Sequence, residues 1–369
     1  MKTYIICTSL PQFTISKYFF SLALFLKQRG DRVIIVIDQN YDGTRNYNGI
    51  TLYSWPSKRP VNIRDFWFFY KLCRRYKPDV TLGQFGSTNV VLIVSWLMRV
   101  NVRLTYIHTA SEAIRIDNNK NRYILKYLQL RKKYVLQFFA TNILTNSKAT
   151  LEDIAATMKI DKKKIFVFYP LLEDVIAKNK LKGVDEREKA IAFVGRIDAS
   201  KGQEKVIDFI PRILDIDSQF KFRFIGGGTQ KERLLKKVMR MGIDSNVEFT
   251  GAVPLSKVYH YLSISLLHIS CSVDEAFGLV NAEALTAGTP IMAARVGGIK
   301  EILIDGENGF FFEPDDEDDF VKKLIELTGD KWPLYSLRAR QSFENNFMMG
   351  NETVKKQIEK MDMIVNNDL

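Results

Sequence analysis

Cysteine and histidine are both scarce, three of each in 369 residues. Cys7, Cys73 and Cys271 lie far apart, form no C-x-x-C pair and are odd in number. That excludes a disulfide framework and a zinc ribbon, and predicts reduced core thiols in a cytoplasmic protein. Long apolar runs are missing too. The best, residues 90–98, contains Ser95 and Trp96 and stops at Arg99, well short of the roughly 18 residues that a membrane span needs. The first residues, Met1-Lys2-Thr3-Tyr4-Ile5-Ile6-Cys7, lack a small-residue cleavage pattern and read as a first β-strand, not a signal peptide. No tandem repeat or low-complexity tract is present, so a solenoid is excluded. The G-x-G-x-x-G spacing is absent as well, and Gly226-Gly227-Gly228 is no dinucleotide fingerprint. Asp315-Asp316-Glu317-Asp318-Asp319 has no further ligand-spaced residues near it and reads as the acidic start of a helix after Pro314, with no metal expected.

What is present is a two-domain globular chain. The length suits two cores, and 46% hydrophobic residues is a folded protein's share. Short β-branched and aromatic runs alternate with longer amphipathic stretches. Strands are expected at residues 3–8, 32–37, 79–82, 103–108, 142–145 and 165–168, and again at 190–194, 220–225, 247–250, 266–270, 290–293 and 309–312. Such alternation implies parallel sheets covered on both faces, hence two consecutive Rossmann-like α/β domains. The segment 169–189 separates them, since Pro170 stops a strand and residues 178–189 are charged and poor in apolar side chains. The expected domains are therefore 1–170 and 171–350, with a helix at 351–369 that packs back on the first. In open parallel sheets ligands bind beyond the carboxyl ends of the strands, so the chemistry should lie in the loops that follow strands.

One such loop runs from Glu275 through Ala276, Phe277 and Gly278 into Leu279, Val280, Asn281, Ala282 and Glu283, and its helix closes at Gly288 before Pro290. Gly278 permits close backbone approach, and the amides after it form a helix N-terminus suited to phosphate. Glu283 lies further along the helix and Glu275 in the loop before it, so one carboxylate can hold ribose hydroxyls while the other faces a transferred sugar. A second loop, Gly195-Arg196-Ile197-Asp198-Ala199-Ser200-Lys201-Gly202, follows a buried strand and carries two cations. Fixed cations are the direct means of stabilising a departing diphosphate.

These stretches resemble the retaining GT-B glycosyltransferases of family 4, with their E-x7-E element. So do Val296-Gly297-Gly298-Ile299-Lys300-Glu301 and Phe224-Ile225-Gly226-Gly227-Gly228. The resemblance is close over about residues 190–325. It implies two Rossmann-like domains facing across a cleft, with a nucleotide-sugar site on the second and an acceptor site on the first. It also implies roles. Arg196 and Lys201, with the backbone of Leu279 and Val280, hold the donor diphosphate; Glu283 binds the ribose; Glu275 and the Phe277-Gly278 backbone contact the donor sugar. His108, at the end of an expected strand, contacts the sugar or the reacting centre, the alternative being an ordinary packed histidine. Two departures stand out. The loop after the first strand reads Ser9-Leu10-Pro11-Gln12-Phe13-Thr14 where many relatives have a Gly-Gly pair, and Ala276 replaces the commoner glycine.

Charge is unevenly shared. Residues 1–180 hold 29 Lys and Arg against 12 Asp and Glu, and residues 181–369 hold 25 against 30. The basic half should meet something anionic. Its aromatic and cationic segments at 64–77 and 122–134 either lie on an anionic membrane surface or pack their apolar faces on the sheet. The expected partners are thus a UDP- or GDP-sugar donor, a glycan or lipid-linked acceptor and an anionic membrane on the inner face of the plasma membrane, with no cofactor and no nucleic acid. The expected reaction is hexosyl or N-acetylhexosaminyl transfer in bacterial surface polysaccharide assembly, whether capsule, exopolysaccharide or lipopolysaccharide. A GT-B nucleotide-sugar epimerase and a non-catalytic partner subunit are the alternatives.

Overall fold

The computed structural model describes residues 1–11, 13–38, 44–58, 60–109, 116, 122–176 and 181–366. Gln12 and the linker residues 178–180 lie outside the described residues, as do the side chains of Arg122, Ile124 and Leu125. The chain divides into two compact units: Met1–His108 with Lys120–Leu172 and Met349–Leu369, and Thr109–Asn119 with Glu173–Met348.

The first unit is built on strands β1 (Thr3–Thr8), β2 (Arg32–Ile37), β3 (Thr44–Tyr47), β4 (Ile50–Ser54), β5 (Val80–Gln84), β6 (Val102–Ile107), β7 (Asn142–Thr145) and β8 (Ile165–Val167). Their order is β3-β4-β2-β1-β5-β6-β7-β8, parallel throughout except for β3 against β4. Runs such as Val-Ile-Ile-Val-Ile in β2 are buried on both faces, as helix-covered parallel strands require. The helices are α1 (Thr14–Gln28), α2 (Ile63–Tyr76), α3 (Thr88–Leu97), α4 (Arg122–Phe139) and α5 (Lys148–Met158). In α2, Phe69, Leu72, Cys73 and Tyr76 turn inward, while Ile63 and Trp67 are exposed. In α4, Val135 and Leu136 face the core, but Tyr123, Tyr127, Leu130, Tyr134 and Phe138 are all exposed.

The second unit has a six-stranded sheet ordered β11-β10-β9-β12-β13-β14, all parallel. Its strands are β9 (Glu188–Val194), β10 (Lys221–Ile225), β11 (Val247–Gly251), β12 (Ser265–Ser270), β13 (Ile291–Ala294) and β14 (Gly309–Phe312). Helices α6 (Gln203–Ile216), α7 (Lys231–Arg240), α8 (Leu255–Ile264), α9 (Leu279–Thr286), α10 (Glu317–Thr328) and α11 (Trp332–Asn346) belong to it. A last helix, α12 (Asn351–Asn366), returns to the first unit. There it buries Val354, Ile358, Met361 and Ile364, and Gln357 accepts from Tyr18 Oη at 2.5 Å and donates to Tyr169 O at 2.7 Å.

Both sheets reverse direction once. In the first unit the chain builds outward from β1 to β2 and β4, then returns to β5 on the other side of β1. In the second it builds from β9 to β10 and β11, then returns to β12 beside β9. Crevices between the loops at such reversals are where open α/β sheets bind ligands.

Two features differ from the sequence reading. The β3–β4 hairpin is an antiparallel edge outside the expected parallel pattern. Its signal is local: Asn48 and Gly49 both take positive φ, 48° and 78°, as a two-residue hairpin turn demands. The exposed Thr-Arg-Asn-Tyr of β3 carries no apolar alternation that would mark a strand. Several strand ends also shift by one or two residues; β5 runs on to Gln84, for example. The acidic run does begin a helix. Asp316 caps α10 and accepts from Asp319 N at 2.9 Å. All three cysteines are free and buried, and no described helix is long and apolar enough to cross a membrane.

Burial makes the folds acid-sensitive. His268, buried in β12 with Nδ1 3.1 Å from Ala192 O, is pushed down from 6.5 to about 4 by desolvation. His108 falls to about 4 through desolvation and then the nearby Lys132 charge. Both folded values lie below the unfolded one, so the unfolded chain takes up protons first. Stability should be complete above about pH 6.5 and fall as the pH approaches 4. Urea midpoints measured across that window check this, and His268→Asn, which keeps an N–H for Ala192 O but does not titrate, should flatten part of the decline.

Candidate active site

The site forms where two loops distant in sequence are brought together by one strand pairing. β9 and β12 are neighbours, with Ser265 beside Glu188 and His268 beside Ala192. The loop after β9 passes through Gly195, at φ 142°, and a short helical turn at Ala199–Lys201. Gly202 then turns left-handed, and a Cβ there would stand 2.1 Å from Cys271 O. Only glycine lets the two loops lie this close. Val273 N donates to Ser200 O at 2.9 Å, and Cys271 Sγ donates to Lys201 O at 3.1 Å. Lys201 Nζ reaches Glu275 Oε2 at 2.5 Å, and Ser272 Oγ donates to the same oxygen at 3.2 Å. A pocket of ≈ 550 Å³ opens beside this turn, with Asp198, Gly202, Gln203, Cys271, Ser272 and Val296 in its wall.

Glycines also explain the other family-like stretches. A Cβ on Gly226 would meet Gly195 O at 2.0 Å, and one on Gly228 would meet Ile197 O at 2.3 Å, so the triple glycine is the seat of the Arg196 loop. A Cβ on Gly297 would lie 1.9 Å from Glu275 O, to which Gly298 N donates at 2.9 Å. The backbone of Glu275 is thereby held from behind.

Gly278, at φ 88°, precedes α9, with Glu275 Cγ 3.4 Å from its ideal Cβ position. Lys201, Glu275 and the N-terminus of α9 are therefore neighbours. Phe277 is buried edge-on against Phe347 at 5.8 Å, Leu279 and Val280 are half-buried, and Glu283 is buried in the helix. Arg196 is paired within its own loop. Its Nη1 lies 2.5 Å from Asp198 Oδ2, while Asp198 Oδ1 accepts from Thr229 N and Oγ1 at 2.8 and 2.9 Å. His108 stands in the first unit at the end of β6, its ring 4.6 Å from that of Phe85.

Residues 175–346 match the family model described as glycosyl transferases group 1, and residues 15–173 match that of glycosyltransferase family 4. The chain carries the two domains of a GT-B glycosyltransferase of the family 4 type. It is 30% identical over 212 residues to an uncharacterized glycosyltransferase of Methanocaldococcus jannaschii, which is 54% of this chain and 53% of that relative. The chain thus spans about half the length of that relative. It is 25% identical over 280 residues to the N-acetylgalactosamine-N,N'-diacetylbacillosaminyl-diphospho-undecaprenol 4-alpha-N-acetylgalactosaminyltransferase of Campylobacter jejuni, covering 75% of this chain and 73% of that one. Among solved structures, Anabaena HepE in complex with UDP-glucose superposes with a TM-score of 0.73 at 16% identity, over 98% of this chain and 99% of that one.

Three residues of the second glycosyltransferase domain escaped the sequence reading. Asn281 is buried in the first turn of α9, and its Oδ1 has no hydrogen-bond partner. An asparagine among Val280, Ala282 and Ala284 was the available signal, since a poor helix former in an apolar stretch calls for a reason. The others are arginines that hold the opposite end of the same helix. Arg187 Nη2 donates to Ala287 O at 2.5 Å and Nη1 to Thr289 Oγ1 at 2.7 Å. Arg340, 2% exposed, donates to Thr286 O at 2.7 Å and to both carboxylate oxygens of Asp174 at 2.9 and 2.6 Å. Cations at a helix C-terminus satisfy the last carbonyls and oppose their partial charge. Nothing in the local sequence distinguishes these arginines from surface ones.

Arg340→Met should leave the Asp174 and Glu344 carboxylates and the Thr286 carbonyl without their donor. With Asp174 and Glu344 part-exposed, losing the buried guanidinium costs about 1–3 kcal/mol. Urea unfolding should show a loss of that order, and Arg340→Lys, lacking the planar fork, should restore only part of it.

Proposed function

We propose that the protein transfers a hexosyl or N-acetylhexosaminyl group from a UDP- or GDP-sugar to a glycan or lipid-linked acceptor, with retention of anomeric configuration. The observation that carries this reading is the convergence of Lys201, Glu275 and the glycine-opened start of α9 at the β9–β12 reversal. In the free site Lys201 is held by Glu275. A bound diphosphate competes for that ammonium, and Glu275 is then free to accept hydroxyls of the donor sugar. As the glycosidic bond to the diphosphate breaks, negative charge grows on the leaving oxygen. Lys201, Arg196 and the amides of Leu279 and Val280 supply the countercharge, so the reading needs no metal ion. Glu283 is assigned to the ribose, Phe277 and Gly278 to backbone contacts with the sugar, and His108 to the reacting centre.

Bacterial surface polysaccharide assembly is the setting we favour, and the Campylobacter relative, named for a diphospho-undecaprenol acceptor, supports a lipid-linked substrate. A peripheral contact with an anionic membrane, on the inner face of the plasma membrane, fits the first unit. On α4 the exposed Tyr123, Tyr127, Leu130, Tyr134 and Phe138 recur at steps of four, three, four and four, which is one helix face. The helix also contains Lys126, Arg131 and Lys133, while Lys132 is turned inward near His108, and it has no acidic residue. An apolar stripe flanked by cations suits a lipid interface, where each cation adds about 1 kcal/mol.

A coupled assay for nucleoside diphosphate release, with and without extracted lipid acceptor, tests the reaction. Lys201→Ala and Glu275→Gln should stay folded and lose about 10²–10³ in turnover. Near-normal rates in both would sink the assignment, and donor consumed without any acceptor would favour an epimerase. For the membrane contact, sedimentation with vesicles of phosphatidylglycerol at low salt should retain the protein, and Tyr127→Ser with Phe138→Ser should release it. Equal retention on phosphatidylcholine alone would remove the electrostatic part of the proposal.

A further inference from the structure

The amino edge of the first sheet lies opposite the carboxyl ends at which open α/β sheets bind substrates, and it carries charge of its own. Three helices of the first unit end there in a cation with left-handed backbone. Lys77 follows α2 at φ 44°, Arg99 lies just past α3 at φ 56°, and Lys159 follows α5 at φ 51°. Glycine or asparagine is usual at such positions, and a long side chain takes this conformation at a cost. In the second unit no described residue other than glycine has a positive φ. A helix C-terminus attracts a positive charge, but a lysine in the last turn with glycine after it meets that need equally well. All three cations are exposed, and they precede β5, β6 and β8, which with β7 are consecutive in the sheet. They form a row.

Before β7 the row opens into a pocket of ≈ 170 Å³, with Leu136, Gln137, Thr141, Lys159, Asp161 and Lys164 in its wall. That is smaller than the roughly 300–1,000 Å³ of sites that enclose a whole ligand, and suits a single headgroup entering from outside. Lys159 and Lys164 make no ion pair among the described residues, whereas Lys162 beside them is paired with Glu152 at 2.6 Å. Asp161, the carboxylate in the wall, accepts from Lys163 N at 3.0 Å. Gln137 Nε2 donates to Met158 O and Lys159 O, both at 3.1 Å, and so ties this loop to α4. Two ammonium groups on flexible stems suit a phosphate, which needs point charges and not a planar fork. Apolar surface adjoins the pocket. Gln137 is followed by Phe138, the last member of the exposed α4 stripe, and at the end of α3 Trp96 and Leu97 are exposed too. The Trp96 ring stands 5.3 Å from that of Phe139. A phosphate seat with apolar side chains beside it matches a phospholipid, in which the two are covalently joined. A free phosphate would leave those side chains uncovered.

We propose that this pocket seats the phosphate headgroup of one anionic phospholipid between Lys159 and Lys164, with Trp96, Leu97 and Phe138 against its apolar part. The proposal rests on the membrane reading of α4 and adds to it a site of fixed stoichiometry. Diffuse attraction to an anionic surface counts cations wherever they lie. A seated headgroup instead separates the two lysines of the pocket wall from Lys163, which stands between them in the same exposed segment and does not line the pocket.

Calorimetric titration of the full chain with dihexanoylphosphatidylglycerol, kept monomeric below its micelle concentration, tests the site without a bilayer. Binding should saturate at one lipid per chain. It should weaken at least tenfold in Lys164→Gln and in Lys159→Asn, the latter placing a residue that tolerates the φ of 51°. Lys163→Gln removes the same charge from the same segment and should bind as the wild type does. All three substitutions alter exposed side chains, and an unchanged Tm checks their folds; should Lys159→Asn unfold, Lys164→Gln still reads the site. The proposal is overturned if the monomeric lipid does not saturate the wild type, if Lys163→Gln loses as much as Lys164→Gln, or if neither pocket variant loses affinity. Inorganic phosphate binding as tightly as the lipid would make the occupant a free anion and overturn the lipid assignment. Sedimentation with phosphatidylglycerol vesicles separates this proposal from the reading of α4. Retention on vesicles without binding of the monomeric lipid keeps that reading and sinks the pocket, whereas monomeric binding without retention keeps the pocket and removes the α4 contact.

Discussion

The pairing of β12 with β9 is the contact on which the second unit's site depends. The two strands are separated by about seventy residues and two intervening βα units, yet their carboxyl ends lie side by side. Everything chemical follows from that adjacency. The Lys201 turn and the Glu275 loop share a backbone hydrogen bond and a thiol contact, a glycine removes the atom that would part them, and an ion pair closes the gap. Half-buried ion pairs of this kind have modest intrinsic worth, since desolvation offsets most of the Coulomb gain. Its value is in orientation. Glu275 holds the Lys201 ammonium close to the Gly278 turn that precedes α9.

α9 is held at both ends by different means. Its start is defined by Gly278 and by the Gly297-Gly298 backbone pressed against Glu275. Its end is fastened by two buried arginines, one from the turn just before β9 and one from α11. Arg340 also grips Asp174 and Ile176 O, just past the point where the chain enters the second unit. Burying a guanidinium is costly, as the lowered value of Arg187, about 10, indicates, and carbonyl and carboxylate partners offset that cost. A short helix gains rigidity from such fastening at its far end.

The first unit repeats the architecture with another polarity. Its reversal lies between β1 and β5, but the loop after β1 lacks paired glycines, and the strand ends offer neutral hydrogen-bonding groups instead of a cation and a carboxylate. The two reversals thus differ in chemistry, one carrying an ion pair and the other unpartnered neutral groups.

The sequence by itself determined the two Rossmann-like domains, most of the strands and the motif residues of the second domain. Those features are local or periodic: buried parallel strands are continuous β-branched runs, and glycines at close approaches cannot be replaced. It did not reveal the β3–β4 hairpin, whose outer strand has no apolar alternation, beyond the Asn48-Gly49 pair. Nor did it reveal that Lys201 pairs with Glu275 while Arg196 turns to Asp198, that Arg187 and Arg340 fasten α9, or that Thr8, Gln84 and His108 are unpartnered. Those facts depend on which side chains meet across strands and helices remote in sequence. A residue's type limits the bonds it can make, but only tertiary packing decides which partner it finds, or that it finds none.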